Sequence, residues 1–440
     1  MTTKSDIVGR VREQASALFQ WTWLGAAVGL ACGVASAVFL ILLEHATAFR
    51  EGHEVIVYTL PFAGLAIGWV YERWGKPIKG GNNLVIDTIH EDSGQIPLRM
   101  APMVLIGTVL THVFGGSAGR EGTAVQMGAS LADAIAHRLR VRRETRRQLL
   151  AAGIAGGFGS VFGTPIAGTV FGLEVVSLGR MEYDALAPAL VASVVGDYVT
   201  RRLGVVHTAY PTSPVVELTP DVLAKLAVIG LAMALATMAF VELTHRLKHV
   251  LEARVSRLPL RMFLGGLVVV VMWKLIGTSD YLGLGVPTIV LAFEDPNLPV
   301  YAFAAKLIFT SVTLASGFLG GEVTPLFFVG ATLGSVLARL LGLPIALGAG
   351  VGIAAVFGSA ANTPVALSIM AVELVGASVF PHVVIVCVIA YLLSGQRGIY
   401  PSQRIWKRKH GGGGLERPVR LRDFRDSMIP PPPEPPDKDP

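Results

Sequence analysis

The sequence predicts an all-α, polytopic membrane fold built from two homologous halves. Three observations predict it: an apolar and charge-poor composition, a succession of uncharged stretches, and an internal repeat. Of 440 residues, 52% are hydrophobic and 15% charged, against about a quarter charged in soluble domains. A soluble chain of this length would split into domains of roughly 100 to 200 residues joined by polar linkers. No such linker occurs before residue 409.

The first twenty residues carry Lys4, Asp6, Arg10, Arg12 and Glu13, and the apolar run Trp21 to Leu43 follows. That run is long enough for the roughly 30 Å hydrocarbon core and reads as a first span rather than a cleaved signal. Uncharged stretches then recur at 55–71, 101–118, 149–173, 185–196, 226–241, 262–273, 307–321, 323–338, 340–372 and 374–396. Each is helix-forming in lipid. The stretch 340–372 contains Pro344, Pro364 and many glycines, so it is expected to break into short, tilted pieces.

The repeat lies at 153–174 (GIAGGFGSVFGTPIAGTVFGLE) and 352–373 (GIAAVFGSAANTPVALSIMAVE), which share ten identities in 22 positions at a constant offset of 199. GASL (128–131) and GATL (330–333) echo each other just before the two copies. We therefore expect a membrane domain at 21–408, with a first repeat at about 21–204 and a second at about 221–400. It follows a cytoplasmic segment 1–20 and precedes a tail 409–440, whose glycines, prolines and lack of apolar periodicity predict disorder.

Fifty glycines and 26 prolines let helices approach closely and break at membrane depth, which is tolerated where the freed backbone lines a protein cavity. A channel or transporter needs that; an anchor does not. The basic clusters 137–147 (HRLRVRRETRR) and 406–409 (WKRK) flank spans as cytoplasmic charges do, and no folded polar domain carries them toward a nucleic acid. Arg10, Arg12 and WKRK place both termini in the cytoplasm. Cys32 and Cys387 lie in apolar runs without ligand-type neighbours, so no disulfide, metal or cofactor is implied. An intramembrane hydrolase is disfavoured: HExxH and GxSG are missing, and Gly196-Asp197 lacks the earlier glycine of GxGD.

The glycine-rich segment 115–135 (GGSAGREGTAVQMGASLADAI) leads into a helix expected to start near Thr123. Inward-turned amides and the positive helix end make an anion site there. Glu121 lies at that end. Its carboxylate can occupy the site and, once protonated, swing away to admit a mobile anion. A capping glutamate paired with Arg120 is the competing local reading.

GREGT (119–123) with VQMG (125–128), GGEVTP before a helix (320–325), the TPxA elements and a late tyrosine resemble the CLC family of chloride channels and proton-coupled antiporters. The resemblance covers about residues 20 to 408. It implies an inverted relation of the halves, re-entrant helices, and a homodimer with one pore per subunit. Chloride-type members usually show GSGIP, GREGP and GxFxP, where this chain has GGNNL (80–84), GREGT (119–123) and GEVTP (321–325). Those departures resemble the fluoride/proton antiporter branch of bacterial CLC proteins, which implies a bacterial inner-membrane protein exporting fluoride against protons. A chloride/proton antiporter or passive chloride channel is the runner-up.

Carried over by position, the resemblance makes Glu121 the gating and proton-transfer glutamate and Glu322 a second site acid. Asn82, Thr324 and Tyr400 become anion-binding residues, with Gly122, Thr123 and Val323 at the helix heads. Fluoride is small and strongly hydrated, so hydroxyl and amide donors suit it. Taken one at a time, Asn82 and Asn83 also read as turn formers, Thr324 as an N-cap before Pro325, and Tyr400 as an interfacial residue. A membrane lysine, Lys306 or Lys274, could pair with Glu322. Glu174 and Glu373, matched between the halves, read as braces. Val175 stands where chloride-type antiporters carry an internal glutamate, so protons need another inner path.

Overall fold

A computed structural model describes residues 4–91, 94–411, 415 and 417–427. Eight helices form the first half: α1 (Lys4–Gly52), α2 (Leu60–Trp74), α3 (Asn82–Glu91), α4 (Met100–Val113), α5 (Glu121–Arg138), α6 (Arg143–Phe162), α7 (Pro165–Glu174) and α8 (Leu186–Arg202). The second half repeats the series as α9 (Pro220–Arg254), α10 (Leu258–Ile276), α11 (Val286–Leu291), α12 (Ala302–Ala315), α13 (Val323–Leu341), α14 (Ile345–Ala361), α15 (Pro364–Val375) and α16 (Phe380–Leu393). Strands β1 (Ser177–Leu178), β2 (Arg404–Ile405) and β3 (Val419–Arg420), with helix α17 (Leu421–Ser427), complete the described chain.

Among the described residues, five helical segments are long and apolar enough to cross a membrane: Leu18–Gly52, Glu54–Trp74, Pro220–Arg254, Leu258–Ile276 and Val323–Leu341. Several others, α7 and α15 among them, are too short. At 1.5 Å per residue, the ten residues of α7 reach about half of the hydrocarbon core. The stretch 340–372 is interrupted as its prolines predict, with α14 ending at Ala361 and α15 opening on Pro364.

Small residues set the packing inside each half. A methyl group on Gly128 would lie 2.2 Å from the Gly153 carbonyl oxygen, and one on Gly330 2.1 Å from that of Gly352. Backbone meets backbone at both crossings, α5 on α6 and α13 on α14, a close approach that only glycine permits. The GASL and GATL echoes mark these crossings.

Reciprocal bonds join the halves. Glu174, at the end of α7, accepts from Val365 N at 3.2 Å and Ala366 N at 2.8 Å at the head of α15. Glu373 does the same for α7, accepting from Ile166 N at 3.1 Å and Ala167 N at 2.7 Å. Each carboxylate satisfies orphan amides and complements the positive end of the partner's helix. The expected braces are therefore in place, and their exchange describes a pseudo-two-fold relation.

Two boundary expectations need correction. The first helix is not confined to Trp21–Leu43 but runs from Lys4 to Gly52, because no proline or glycine cluster stops it on either side. The tail is not disordered throughout: β3 pairs antiparallel with β2, while Leu421 and Phe424 of α17 bury against Leu178 and Ile405. Two apolar residues three apart sufficed for one docked turn. Residues 412–414, 416 and 428–440 of the expected tail, with residues 1–3 and 92–93, lie outside the described residues.

Candidate functional site

Helices α5 and α13 begin at the same place in space. Their preceding loops touch through one antiparallel bridge, with Gly119 N donating to Gly321 O at 2.6 Å and Gly321 N to Gly119 O at 2.8 Å. Two positive helix ends thereby converge inside the protein. The first helix starts at Glu121 itself, two residues before the expected Thr123.

Glu121 is 1% exposed. Its Oε2 accepts from Thr324 N at 3.1 Å and Arg120 N at 3.1 Å, and its Oε1 accepts from the Thr324 hydroxyl at 2.5 Å. Arg120 Nε lies 3.5 Å from Oε1. The carboxylate thus spans the two helix heads and takes donors from both halves. The competing readings are half met: Glu121 does pair with Arg120, but Thr324 caps nothing of its own and spends its hydroxyl on Glu121.

Glu322 is the residue before α13 and makes no side-chain capping bond. It lines a cavity of about 610 Å³ together with Asn83, His245, Lys248, Pro401 and Arg422. Neither membrane lysine pairs with it. Lys306 Nζ donates to the carbonyls of Tyr281 at 3.2 Å and Gly283 at 2.7 Å, and Lys274 sits over the Tyr58 and Trp273 rings.

Asn82 opens α3. A methyl group on Gly122 would lie 3.2 Å from Asn82 Nδ2, 3.1 Å from Gly321 Cα and 4.0 Å from Glu322 Oε2. So Gly122 is the gap across which Asn82, Glu322 and the second half meet. Asn82 Oδ1 is buried without a hydrogen-bond partner. Tyr400 is 3% exposed, which removes the interfacial reading, and it lies near Glu322 and Glu121. Val323 and Thr123 are buried in the first turns. The Thr123 hydroxyl meets that of Thr108 at 2.7 Å, so Thr123 ties α5 to α4.

Sequence reasoning missed the polar frame behind these groups. Asn83 Oδ1 accepts from Ser402 N at 3.0 Å, and Ser402 Oγ donates to Asp87 Oδ2 at 2.9 Å. Gln403 Nε2 donates at 2.8 Å to the carbonyls of Val175 and Ala361, and its Oε1 accepts from Asn362 Nδ2 at 2.9 Å. The four-residue spacing of Asn83, Asp87 and Glu91 was the available signal, because it makes one helical stripe. Among the described residues no group of acids, histidines and cysteines could hold a metal ion.

The family described as voltage gated chloride channel matches residues 63–395. The chain is 48% identical over 412 residues to a chloride/fluoride channel protein of Pseudomonas syringae pv. tomato, covering 92% of this chain and 91% of the relative. It is 28% identical to a voltage-gated ClC-type chloride channel of Salmonella typhi, covering 76% and 83%. Among solved structures it is similar to a CLC-type fluoride/proton antiporter, with a TM-score of 0.85 and 37% identity over 92% of this chain and 100% of that one. A slow cyanobacterial chloride/proton antiporter shares the fold at a TM-score of 0.75 and 17% identity, covering 85% and 94%. Duplicated half-helices, converging helix heads and these matches agree: the chain is a multi-pass membrane protein of the CLC, or voltage gated chloride channel, family.

Proposed function

We propose that the chain is a proton-coupled fluoride antiporter, exporting fluoride in exchange for inward protons with Glu121 as the proton-carrying gate. One observation carries this: the Glu121 carboxylate is held by Thr324 N, the Thr324 hydroxyl and Arg120 N, donors contributed by both halves at two converging helix ends. That is where a free anion would sit. Protonating Glu121 cancels the charge the helix ends attract and frees those donors for an incoming anion. Loss of the proton on the far side lets the carboxylate reclaim them and expel the anion, so the two ions move oppositely.

The passenger follows from donor chemistry. Fluoride gives up its water only for strong donors, and hydroxyls of Thr324 and Tyr400, the Asn82 amide and helix-head N–H groups of Gly122, Thr123 and Val323 supply them. The similarity to a fluoride/proton antiporter and to a chloride/fluoride channel protein supports this choice. Glu322 is the second proton-handling acid. The cavity of about 610 Å³ on its wall gives water access to it, replacing the internal glutamate that Val175 lacks. Lys248 and Arg422 on the wall of that mouth, together with WKRK, favour the cytoplasmic side for it and for both termini, in a bacterial inner membrane.

We also propose a homodimer. Leu186, Leu190, Val194 and Tyr198 form an exposed apolar stripe along α8, four residues apart and therefore on one face.

The test is paired flux from proteoliposomes loaded with fluoride or chloride. Fluoride should leave much faster than chloride, and protons should move in the opposite direction. Proton flow absent during rapid fluoride loss selects a passive channel, the second reading favoured by the channel named among the relatives. Equal coupled flux of both anions selects a general anion/proton antiporter.

A further inference from the structure

Two parts of the anion path are fastened together by charges that take no part in it. Asn83, Asp87 and Glu91 recur every fourth residue along α3, so they share the face presented to the segment after Tyr400. Tyr400 is pinned by a turn in which Gln403 N donates to its carbonyl at 3.0 Å. Beyond that turn Ser402 bonds Asn83 and Asp87. Arg404 then pairs with Asp87 at 3.2 Å and with Glu91.

Arg404 stands opposite Arg420 in the β2–β3 register. Like charges directly across two strands repel. Here Arg420 meets the same carboxylates, Asp87 at 3.3 Å and Glu91, and two arginines against two acids cancel. The Arg404 and Asp87 side chains are only 7% and 19% exposed, so solvent screens them little and removing one partner strands another.

We propose that this ionic ladder is a selectivity device. It fixes the separation between Asn82, at the head of α3, and Tyr400, at the start of the strapped segment, and so sets how fast small anions pass relative to large ones. A brace with a purely structural duty could sit anywhere on α3. This one runs from the residue beside Asn82 to the segment beginning at Tyr400, and a selective site tolerates displacements of only about 0.5 Å. The inference rests on the anion-transport reading, with Asn82 and Tyr400 lining the path.

The full-length protein in proteoliposomes tests it, with fluoride and chloride efflux measured side by side and thermal stability followed in detergent. Asp87→Asn keeps the shape and removes one charge. Its fluoride-to-chloride rate ratio should fall by up to about a hundredfold, the cost of a misplacement of roughly 1 Å, while protons moved per anion stay unchanged. Glu91→Arg and Arg420→Glu should each lower the ratio, and the double exchange E91R/R420E should bring it back. A folded D87N protein with the wild-type ratio, or one that slows both anions equally, overturns the proposal. So does an exchange variant that regains stability but not the ratio. Should the wild type move both anions equally, the fluoride reading fails by itself. The ladder is still judged by whether D87N shifts the ratio toward the larger anion.

Discussion

The heads of α5 and α13 are the same structure twice, yet they carry different chemistry. With Gly119 set against Gly321, its bridge partner, Arg120 corresponds to Glu322, Glu121 to Val323, and Gly122 to Thr324. One half contributes the carboxylate and an open gap beside it. The other contributes the hydroxyl that reaches across, and places its own acid one residue earlier, turned toward the cavity. Duplication built a frame with two equivalent helix ends, and the departures from equivalence at three consecutive positions gave the two ends different chemistry.

The largest test of that asymmetry is Glu121→Gln, which retains the shape and removes the titration. Proton movement during fluoride efflux should fall to background, and anion flux should slow or run uncoupled. Unchanged coupling in proteoliposomes would take Glu121 out of the mechanism. Next in size is Thr324→Val, which leaves the backbone N–H and deletes the hydroxyl. Losing one charge-assisted partner of a buried group costs about 1–3 kcal/mol, so fluoride affinity, read as the concentration for half-maximal flux, should weaken by on the order of tenfold.

The braces sharpen the comparison from the other side, because there the halves behave alike. Glu174→Gln should lower stability by roughly 1–2 kcal/mol, the usual worth of a lost helix cap, with coupling unaltered. Glu373→Gln should cost less, since Glu373 is exposed where Glu174 is 7% exposed. Melting in detergent beside coupled flux separates the two. A separate test concerns Lys409, between β2 and β3, whose burial pushes its pKa down to about 7 from 10.5. The unfolded chain then binds the extra proton between those values, so stability rises with pH across that window. Relative to Lys409→Met, wild-type stability should climb from pH 7 to 10, and a flat difference would sink the claim.

Most of the frame was legible in the sequence, because the repeat is written in glycine and proline and their effect on helices is local. Glu121 was legible for the same reason, lying between a glycine-rich loop and a helix. What escaped notice depends on pairings between distant parts of the chain. On local features alone Thr324 reads as a cap, because its partner Glu121 is 203 residues away, and Tyr400 reads as interfacial, because nothing nearby announces its burial; the resemblance to a family was needed to single both out. Asp87 and Arg404 each look like ordinary surface charge until the fold sets them together. The β3–α17 segment was overlooked because two apolar residues in a proline-rich, charged tail make too weak a period to register.

The bond from Thr324 to Glu121 also bears on how the protein is made. A ribosome feeding this chain into a bilayer delivers Glu121 about two hundred residues before the Thr324 donors that hold its charge. An unpartnered carboxylate at that depth is costly, so the first half alone leaves this acid unsatisfied. The carboxylate finds those donors only when the second half docks, so this one bond ties the settling of the first half to the arrival of the second.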